Sequence, residues 1–510
     1  MKSNILDYLE ETVEKYSQKI GFIEKKEEIT FGEFQNRTKR IAMTIPKGTA
    51  PRPIIVFLEK GIKELTAFIG IVYSGNYYVP IDPEQPSERI ANILDITESE
   101  VILTDRICLN KIKECVSSKI KIILYENYTE TRIDETYLSE IRNRQIDIEP
   151  LYVLFTSGST GTPKGVMISH RSVMDYVEWL IETFHFSDKT IFGNQAPFYF
   201  DNSILDIYCT LKVGATMCII PEKFFIFPNK LLNYLKEKRV NTIFWVPSAL
   251  ITVANSNALL QHSLPDIENI LFCGEVMPNK QLNIWRCFLP NALYANLYGP
   301  TEITDVCSYY IVDRSFQDEE PLPIGKACKN TQILVLNDDN HLCKTEEVGE
   351  LCVRGTCLSL GYYGDLDKTE RAFVQNPLNS KWRDYVYRTG DLVKYNERGE
   401  LIYLCRKDFQ IKHMGHRIEL GEIETAAYAL AQMRECCALY NEQERQIVLF
   451  CVLSESDIRE KDVYLWLKSK LPKYMLPSII KIKDSLKLNS NGKIDRIILK
   501  KEMEEIYDKE

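Results

Sequence analysis

The stretch YVLFTSGSTGTPKGV, residues 152–166, joins an apolar run to a loop of glycines, serine and threonine hydroxyls, a proline and one lysine. Tyr152 to Phe155 reads as a buried strand, because a short apolar run ending at a glycine-rich turn suits a sheet interior. Glycines let backbone N–H groups approach an anion closely, while hydroxyls and a lysine add donors and charge, so the loop suits a phosphate. The common nucleotide-loop signature runs from Gly-Lys-Ser/Thr directly into a helix. Here Pro163 precedes Lys164 and Gly165 follows it, so the loop is expected to reach over a phosphate rather than cradle one at a helix start. A flexible linker would also have this composition, but it needs neither the strand nor the lysine.

Outward from the loop the pattern alternates. PIIVF, starting at Pro53, reads as a strand, KELTAFIGIVYSG as a helix closed by Gly75, YYVPI as a strand, PSERIANILDI as a helix opened by proline, and VILTD as a strand. Such alternation predicts a largely parallel sheet covered by helices. It returns at TMCIIP, LLNYLKEKRV, TIFWVPS and NILFCGE. Past residue 320, TQILVLNDDN, GELCVRG and ERGELIYLC read as short strands with glycine turns, the texture of an antiparallel subdomain. After residue 408, IELGEIETAAYALAQM reads as one helix, QIVLFCVL as a strand and VYLWLKSKLP as another helix, which fits a small α+β domain.

At 510 residues, 45% hydrophobic and 26% charged, the chain is too long for one compact core. The net charge is −9, with basic residues mixed among acidic ones, and no basic tract of the kind that tracks a phosphodiester backbone is present, which argues against a nucleic-acid partner. No apolar run approaches the ~18 residues of a membrane span, and MKSNILDYLEETVEKYSQKI has helical periodicity rather than a signal-peptide core, so a cytoplasmic protein without membrane insertion is expected. The fifteen cysteines are scattered and never spaced Cys-x-x-Cys, and read as reduced, small hydrophobes. The six histidines form no HExxH pair and no Cys/His cluster, which leaves oxygen ligands for any metal.

Several separated segments then share one resemblance. NYYVPIDPEQPSERI, LFTSGSTGTPKGV, FDNSILDIY, NLYGPTE, GELCVRG, YRTGDL, RKDFQIKHMGHRIELGEIE and NGKID stand in this order. The chain resembles, over nearly its full length, the adenylate-forming superfamily of acyl-CoA synthetases, firefly luciferase and nonribosomal peptide synthetase adenylation domains. APFYFD, FCGEVMP and DFQIK are similar to the stand-alone D-alanine:D-alanyl-carrier-protein ligases, and no Leu-Gly-Gly-x-Ser carrier segment follows. The resemblance implies an α/β fold: a large N-terminal domain of mixed, mainly parallel sheets with helices plus a β subdomain, residues 1–407, and a small mobile α+β domain, residues 408–510. It implies ATP and Mg²⁺, an amino acid substrate, and a separate carrier protein whose phosphopantetheine thiol receives the aminoacyl group.

Residue by residue, the resemblance implies that Thr156, Ser157, Gly158, Ser159, Thr160, Gly161 and Lys164 hold the β- and γ-phosphates. Gly274, Glu275, Asn296, Leu297, Tyr298 and Gly299 would line the nucleotide site, with Tyr298 against the adenine and Asn296 near its exocyclic amine. Thr301 would lie on phosphate and Glu302 would ligate Mg²⁺, Asp391 and Arg406 would take the ribose, and Lys493 would bridge the substrate carboxylate and the α-phosphate. Asp408 would be the hinge. Asp201 would pair with the substrate's α-ammonium; its structural alternative is a cap on the helix SILDIYCTL. Asn202, Leu205, Ser248, Leu271, Cys273, Leu297, Asp305 and Val306 would form the side-chain pocket. Ser248 and Cys273 match the D-alanine ligases, whereas Asn202, Leu297 and Asp305 depart from them, and a buried carboxylate facing only a methyl group is costly without a partner. Either Asp305 points into the pocket and selects a donor, or it is bonded to Asn202 or a backbone N–H and leaves a small apolar space. The expected activity is activation of D-alanine and its transfer to a carrier. The alternatives are a stand-alone adenylation enzyme for another amino acid, an acyl-CoA synthetase, which Asp201 weighs against, or a non-catalytic nucleotide-binding relative.

Overall fold

The computed structural model describes residues 2–116, 119–158, 162–407, 410–454, 458–487 and 494–507. Among them, two large sheets build the N-terminal domain. One runs in the order Lys326–Ala327, Ser308–Ile311, Leu293–Tyr298, Asn269–Cys273, Thr242–Trp245, Ile191–Asn194, Thr216–Ile219, Ile20–Glu24 and Glu27–Thr30. Its middle is parallel and its two edges antiparallel. The other runs Gly361–Tyr362, Lys164–Ser169, Pro150–Thr156, Tyr77–Pro80, Pro53–Phe57, Val101–Thr104 and Lys121–Leu124. This is the mixed, mainly parallel arrangement that the alternation calls for.

Helices Ile62–Tyr73 and Ser203–Val213 are apolar on nearly every face and touch both sheets, as helices buried on all sides must. The hydroxyls of Tyr78, on the second sheet, and Tyr208, on the buried helix, meet at 2.7 Å. Past residue 330 the strands Thr331–Leu336, Gly349–Gly355, Tyr385–Tyr395, Phe373–Gln375 and Leu401–Arg406 pair antiparallel, as their glycine-punctuated alternation implies.

The C-terminal domain has its own core around Met433–Asn441, Gln446–Leu453 and Ile479–Ile482, covered by Leu420–Tyr428 and Glu460–Lys470. The single helix read across residues 418–433 is shorter. Ile418 and Glu419 pair instead with Ile411 and Gln410 in a hairpin, the helix ends at Tyr428, and Met433 already opens a strand. An isolated helix pattern could not show that both ends are claimed by strand partners outside it.

Strands Pro150–Thr156 and Lys164–Ser169 pair antiparallel, with Thr156 opposite Lys164. The glycine-rich loop is therefore the tip of a hairpin and leads into a strand. All fifteen cysteines are free, and no described helix is long and apolar enough to cross a membrane.

Candidate active site

The carboxyl ends of Ile191–Asn194, Thr242–Trp245, Asn269–Cys273 and Leu293–Tyr298 lie side by side in one parallel run, where an open α/β sheet leaves a crevice. The loops that leave these ends carry Asp201, Ser248, Gly274 with Glu275, and Thr301 with Glu302. Gly299 makes the last of these turns possible. A Cβ there would sit 2.3 Å from the Asp305 carbonyl oxygen, so any side chain would push Thr301 and Glu302 away from the crevice.

Glu302 is fully buried. Its Oε2 accepts Arg417 at 2.6 Å, and its Oε1 accepts Lys164 Nζ at 3.2 Å and the Tyr362 hydroxyl at 2.7 Å. Burial alone would push its pKa up, but the charges of Arg417 and Lys164 hold the carboxyl far below the usual range. Burial, together with the Arg417 charge, lowers the Lys164 pKa to about 8. The lysine of the loop and the glutamate of NLYGPTE, 138 residues apart, thus meet in one charge cluster.

A second cluster joins Tyr298, Asp391 and Arg406. The Tyr298 hydroxyl donates to Asp391 Oδ2, and Arg406 donates to Asp391 Oδ1 at 3.0 Å. Asn296 Nδ2 donates to the Pro323 carbonyl at 2.9 Å, and Glu275 accepts the Ser248 N–H at 2.9 Å. Lys412, from the hairpin Gln410–His413 and His416–Glu419, stands 5.3 Å from the Tyr298 ring centroid. The hairpin therefore reaches into the crevice beside both clusters.

Asp201 accepts the Thr301 hydroxyl at 2.6 Å and its neighbour's N–H, that of Asn202, at 3.0 Å. The helix Ser203–Val213 has no side-chain cap, so the capping alternative for Asp201 fails. A cavity of about 60 Å³ lies against Asp201, Asn202, Thr301, Thr156, Asp391 and Lys412. The Thr156 hydroxyl is buried there without a partner.

Of the side-chain pocket residues, Leu205, Leu271, Cys273, Leu297 and Val306 are buried in the core. Asp305 is bonded to neither Asn202 Nδ2 nor a backbone N–H. Its Oδ2 accepts the Tyr176 hydroxyl at 2.6 Å, while Asn202 lines the cavity and its buried Nδ2 has no partner. Burial, with Asp201 nearby, pushes the Asp305 pKa well up. Ser159, Thr160, Gly161, Asp408 and Lys493 lie outside the described residues.

A larger cavity of about 760 Å³ opens between the N-terminal domain and the C-terminal hairpin, lined by Asp82, Gln195, Ser248, Glu275, His413 and Lys473 among others. Tyr199, Phe200, Asn202, Gly415 and Tyr474 line both cavities. The large space therefore ends at the wall of the small one.

These observations meet in one comparison. Residues 9–363 match the family model for AMP-binding enzymes, and residues 422–493 match that for the AMP-binding enzyme C-terminal domain. The chain belongs to the AMP-binding enzyme family. This AMP-binding enzyme is 31% identical to a D-alanine--D-alanyl carrier protein ligase from Bacillus licheniformis, over 97% of this chain and 99% of that one. It is 29% identical to an L-proline--[L-prolyl-carrier protein] ligase from Pseudomonas fluorescens, over 96% and 97% of the two chains. Its fold is that of the Vibrio cholerae adenylation domain AlmE, solved in complex with glycyl-adenosine-5'-phosphate, with a TM-score of 0.85 at 21% identity over 99% of this chain and 98% of that one.

Five residues at or beside this AMP-binding enzyme's site have no assigned role in the motifs: Lys412, Arg417, Tyr362, Tyr176 and Asp206. Lys412 and Arg417 had a signal, as cations either side of a glycine in a quoted motif. The other three become visible only by packing. Asp206 lies fully buried on the helix that follows Asp201, where its Oδ2 accepts Asn194 Nδ2 at 2.9 Å and its Oδ1 has no partner.

Burial raises the Asp206 pKa to about 7. A carboxyl raised in the folded state binds its proton more tightly there than in the unfolded chain. Its stabilising contribution is therefore complete at acid pH and is lost as pH rises through about 7. Asp206→Asn is neutral at every pH, so its melting temperature relative to the parent should increase between pH 5 and pH 8. A difference that does not change with pH, followed by calorimetry, would remove Asp206 as the source.

Proposed function

We propose that this enzyme activates a small amino acid, D-alanine first among candidates, as its aminoacyl-AMP and passes it to the phosphopantetheine thiol of a separate carrier protein. The observation that carries the reading is Asp201, a carboxylate held by Thr301 at the wall of a small cavity beside the Glu302 cluster. Such a group suits an α-ammonium, which fatty acyl substrates lack. The cavity of about 60 Å³ beside Asp201 suits a small substrate side chain. Because Asp305 is engaged by Tyr176, the departure from the D-alanine pattern there is compatible with a methyl group.

The first half-reaction brings a carboxylate against the α-phosphate, so charge neutralisation and positioning dominate. Thr156, Ser157, Gly158 and Lys164, with Ser159, Thr160 and Gly161, hold the β- and γ-phosphates; the buried, unpartnered Thr156 hydroxyl fits a phosphate oxygen. Tyr298 packs the adenine, Asp391 and Arg406 take the ribose, and Lys493 neutralises the two reacting anions. Glu302 fits Mg²⁺ as one carboxylate completed by phosphate oxygens, once Arg417 withdraws from its Oε2. When bound, the ion supplies charge that reduces repulsion between carboxylate and phosphates.

In the second half-reaction the 760 Å³ cavity receives the thiol arm. The thiol attacks the acyl carbon, AMP leaves, and the wall shared by the two cavities is where the reacting groups meet. A turn about Asp408 exchanges Lys493 for the 410–419 hairpin at the crevice.

One observation favours a second reading. Asn202, at the cavity wall with its Nδ2 unpartnered, suits a substrate with a side-chain acceptor, as in a stand-alone adenylation enzyme for another amino acid. Pyrophosphate exchange with D-alanine, L-alanine, glycine, serine, asparagine and glutamine decides between them. D-alanine should give the highest kcat/KM, with Asp305→Val retaining that order. A preference for serine, asparagine or glutamine that Asn202→Ala abolishes overturns the D-alanine assignment.

A further inference from the structure

The first turn of helix Ser87–Thr97 faces the C-terminal domain. Arg89 and Glu422 pair there with side-chain exposures of 6% and 2%, and the adjacent Glu88 pairs with Lys470. Neighbouring residues of opposite charge thus meet partners of opposite charge, so a single seating of helices Leu420–Tyr428 and Glu460–Lys470 satisfies both pairs.

Glu422 has a second contact. Its Oε2 accepts the N–H of Gly158, the first glycine of the loop, at 3.2 Å. Next to it the Ser157 hydroxyl donates to the Arg417 carbonyl at 2.6 Å and accepts the Glu419 N–H at 3.2 Å. Segment 417–422 therefore engages the loop donors that the functional reading assigns to phosphate, and it meets the Gly158 N–H with a carboxylate, itself an oxygen anion. Behind the ion pair lies a cavity of about 140 Å³ lined by Arg89, Glu422, Pro163 and Lys470, and Arg89 Nε has no partner. An interface with such a void is less tightly packed than a domain core, which suits a contact that is made and broken.

We propose that Arg89 and Glu422 are positioning residues for the two half-reactions: the Glu422 carboxylate stands in for a phosphate oxygen at the glycine-rich loop, so bound β- and γ-phosphates and this seating of the C-terminal domain exclude each other. Arg89 holds Glu422 in place after pyrophosphate leaves and so favours the arrangement in which the large cavity reaches the small one. The contact opposes ATP binding and supports thiol transfer. A residue that only supports the fold would weaken both.

The proposal rests on the two-step reading above, and its test separates the two. Titration calorimetry of the full chain with ATP and Mg²⁺, without amino acid, compares the parent with Glu422→Gln and Arg89→Met. Transfer from preformed D-alanyl-AMP to pantetheine is timed for the same proteins, and melting temperatures check folding. Both variants should bind ATP about fivefold more tightly, within the usual range of coupling between sites, while transfer slows about tenfold or more. Unchanged or weaker ATP binding in folded variants overturns the proposal. Because the titration needs no amino acid, a chain that fails to activate any amino acid defeats the functional reading and leaves this comparison standing.

Discussion

Glu302→Gln should lower amino-acid-dependent pyrophosphate exchange by about three orders of magnitude, the largest effect expected of any single change in the described site. Removing one preorganised electrostatic group from an active site raises the barrier by about 2.7 to 4 kcal/mol, and each 1.36 kcal/mol is a factor of ten in rate. Here two buried cations, Lys164 and Arg417, share the one carboxylate. Glutamine keeps an acceptor for Tyr362 and a similar shape, so the loss reports on charge. In the proposed mechanism that charge also holds Mg²⁺, so the affinity for the magnesium complex of ATP should fall with the rate. Exchange measured as a function of Mg²⁺, alongside a melting curve, checks both. A folded variant that retains exchange within tenfold of the parent would falsify the assignment of Glu302.

Asp201→Ala should raise the KM for the amino acid by about a hundredfold or more, since truncating one partner of a buried, hydrogen-bonded charge pair costs about 2 to 5 kcal/mol. ATP binding should stay as it is, because Asp201 faces the small cavity and contacts Thr301 rather than the loop. Asp201→Asn separates charge from geometry: it retains an acceptor for the Thr301 hydroxyl but cannot neutralise an ammonium. If asparagine restores the parental KM, Asp201 is holding Thr301 and the α-ammonium is bound elsewhere.

These two residues also show what kind of information the sequence holds. Lys164, Glu302, Asp201, Asp391 and Arg406 are each quoted in a local motif, and the fold gathers them at the carboxyl ends of a parallel run of strands, as the alternation of strands and helices from Pro53 onward implies. The segment most misread was residues 418–433. Its helical pattern is genuine over Leu420–Tyr428, but the residues on either side take strand partners, Gln410 and Ile411 before it and Val452 and Leu453 after it. Backbone pairing across a hairpin overrides a weak local preference. The partner of Asp305 was equally hidden. Tyr176 stands 129 residues away on a helix whose periodicity reads simply as core, and a phenol with one apolar side and one polar end leaves no mark in the hydrophobic pattern.

The sequence by itself determined the architecture and the inventory of chemistry: a glycine-rich loop with one lysine, a carboxylate after Gly-Pro-Thr, another before a buried helix, and an aspartate after Arg-Thr-Gly with an arginine beyond it. Periodicity is a local property of the chain, and so is the order of residue types within a motif. The tertiary structure alone decided how these groups are balanced. It placed Arg417 on the carboxylate that also meets Lys164, turned Asp305 toward Tyr176, and set Glu422 against the first glycine of the loop. Charge balance depends on distances of about 3 Å between groups more than a hundred residues apart, and in a buried setting such contacts are strong enough to shift a protonation state. No spacing along the chain encodes that distance.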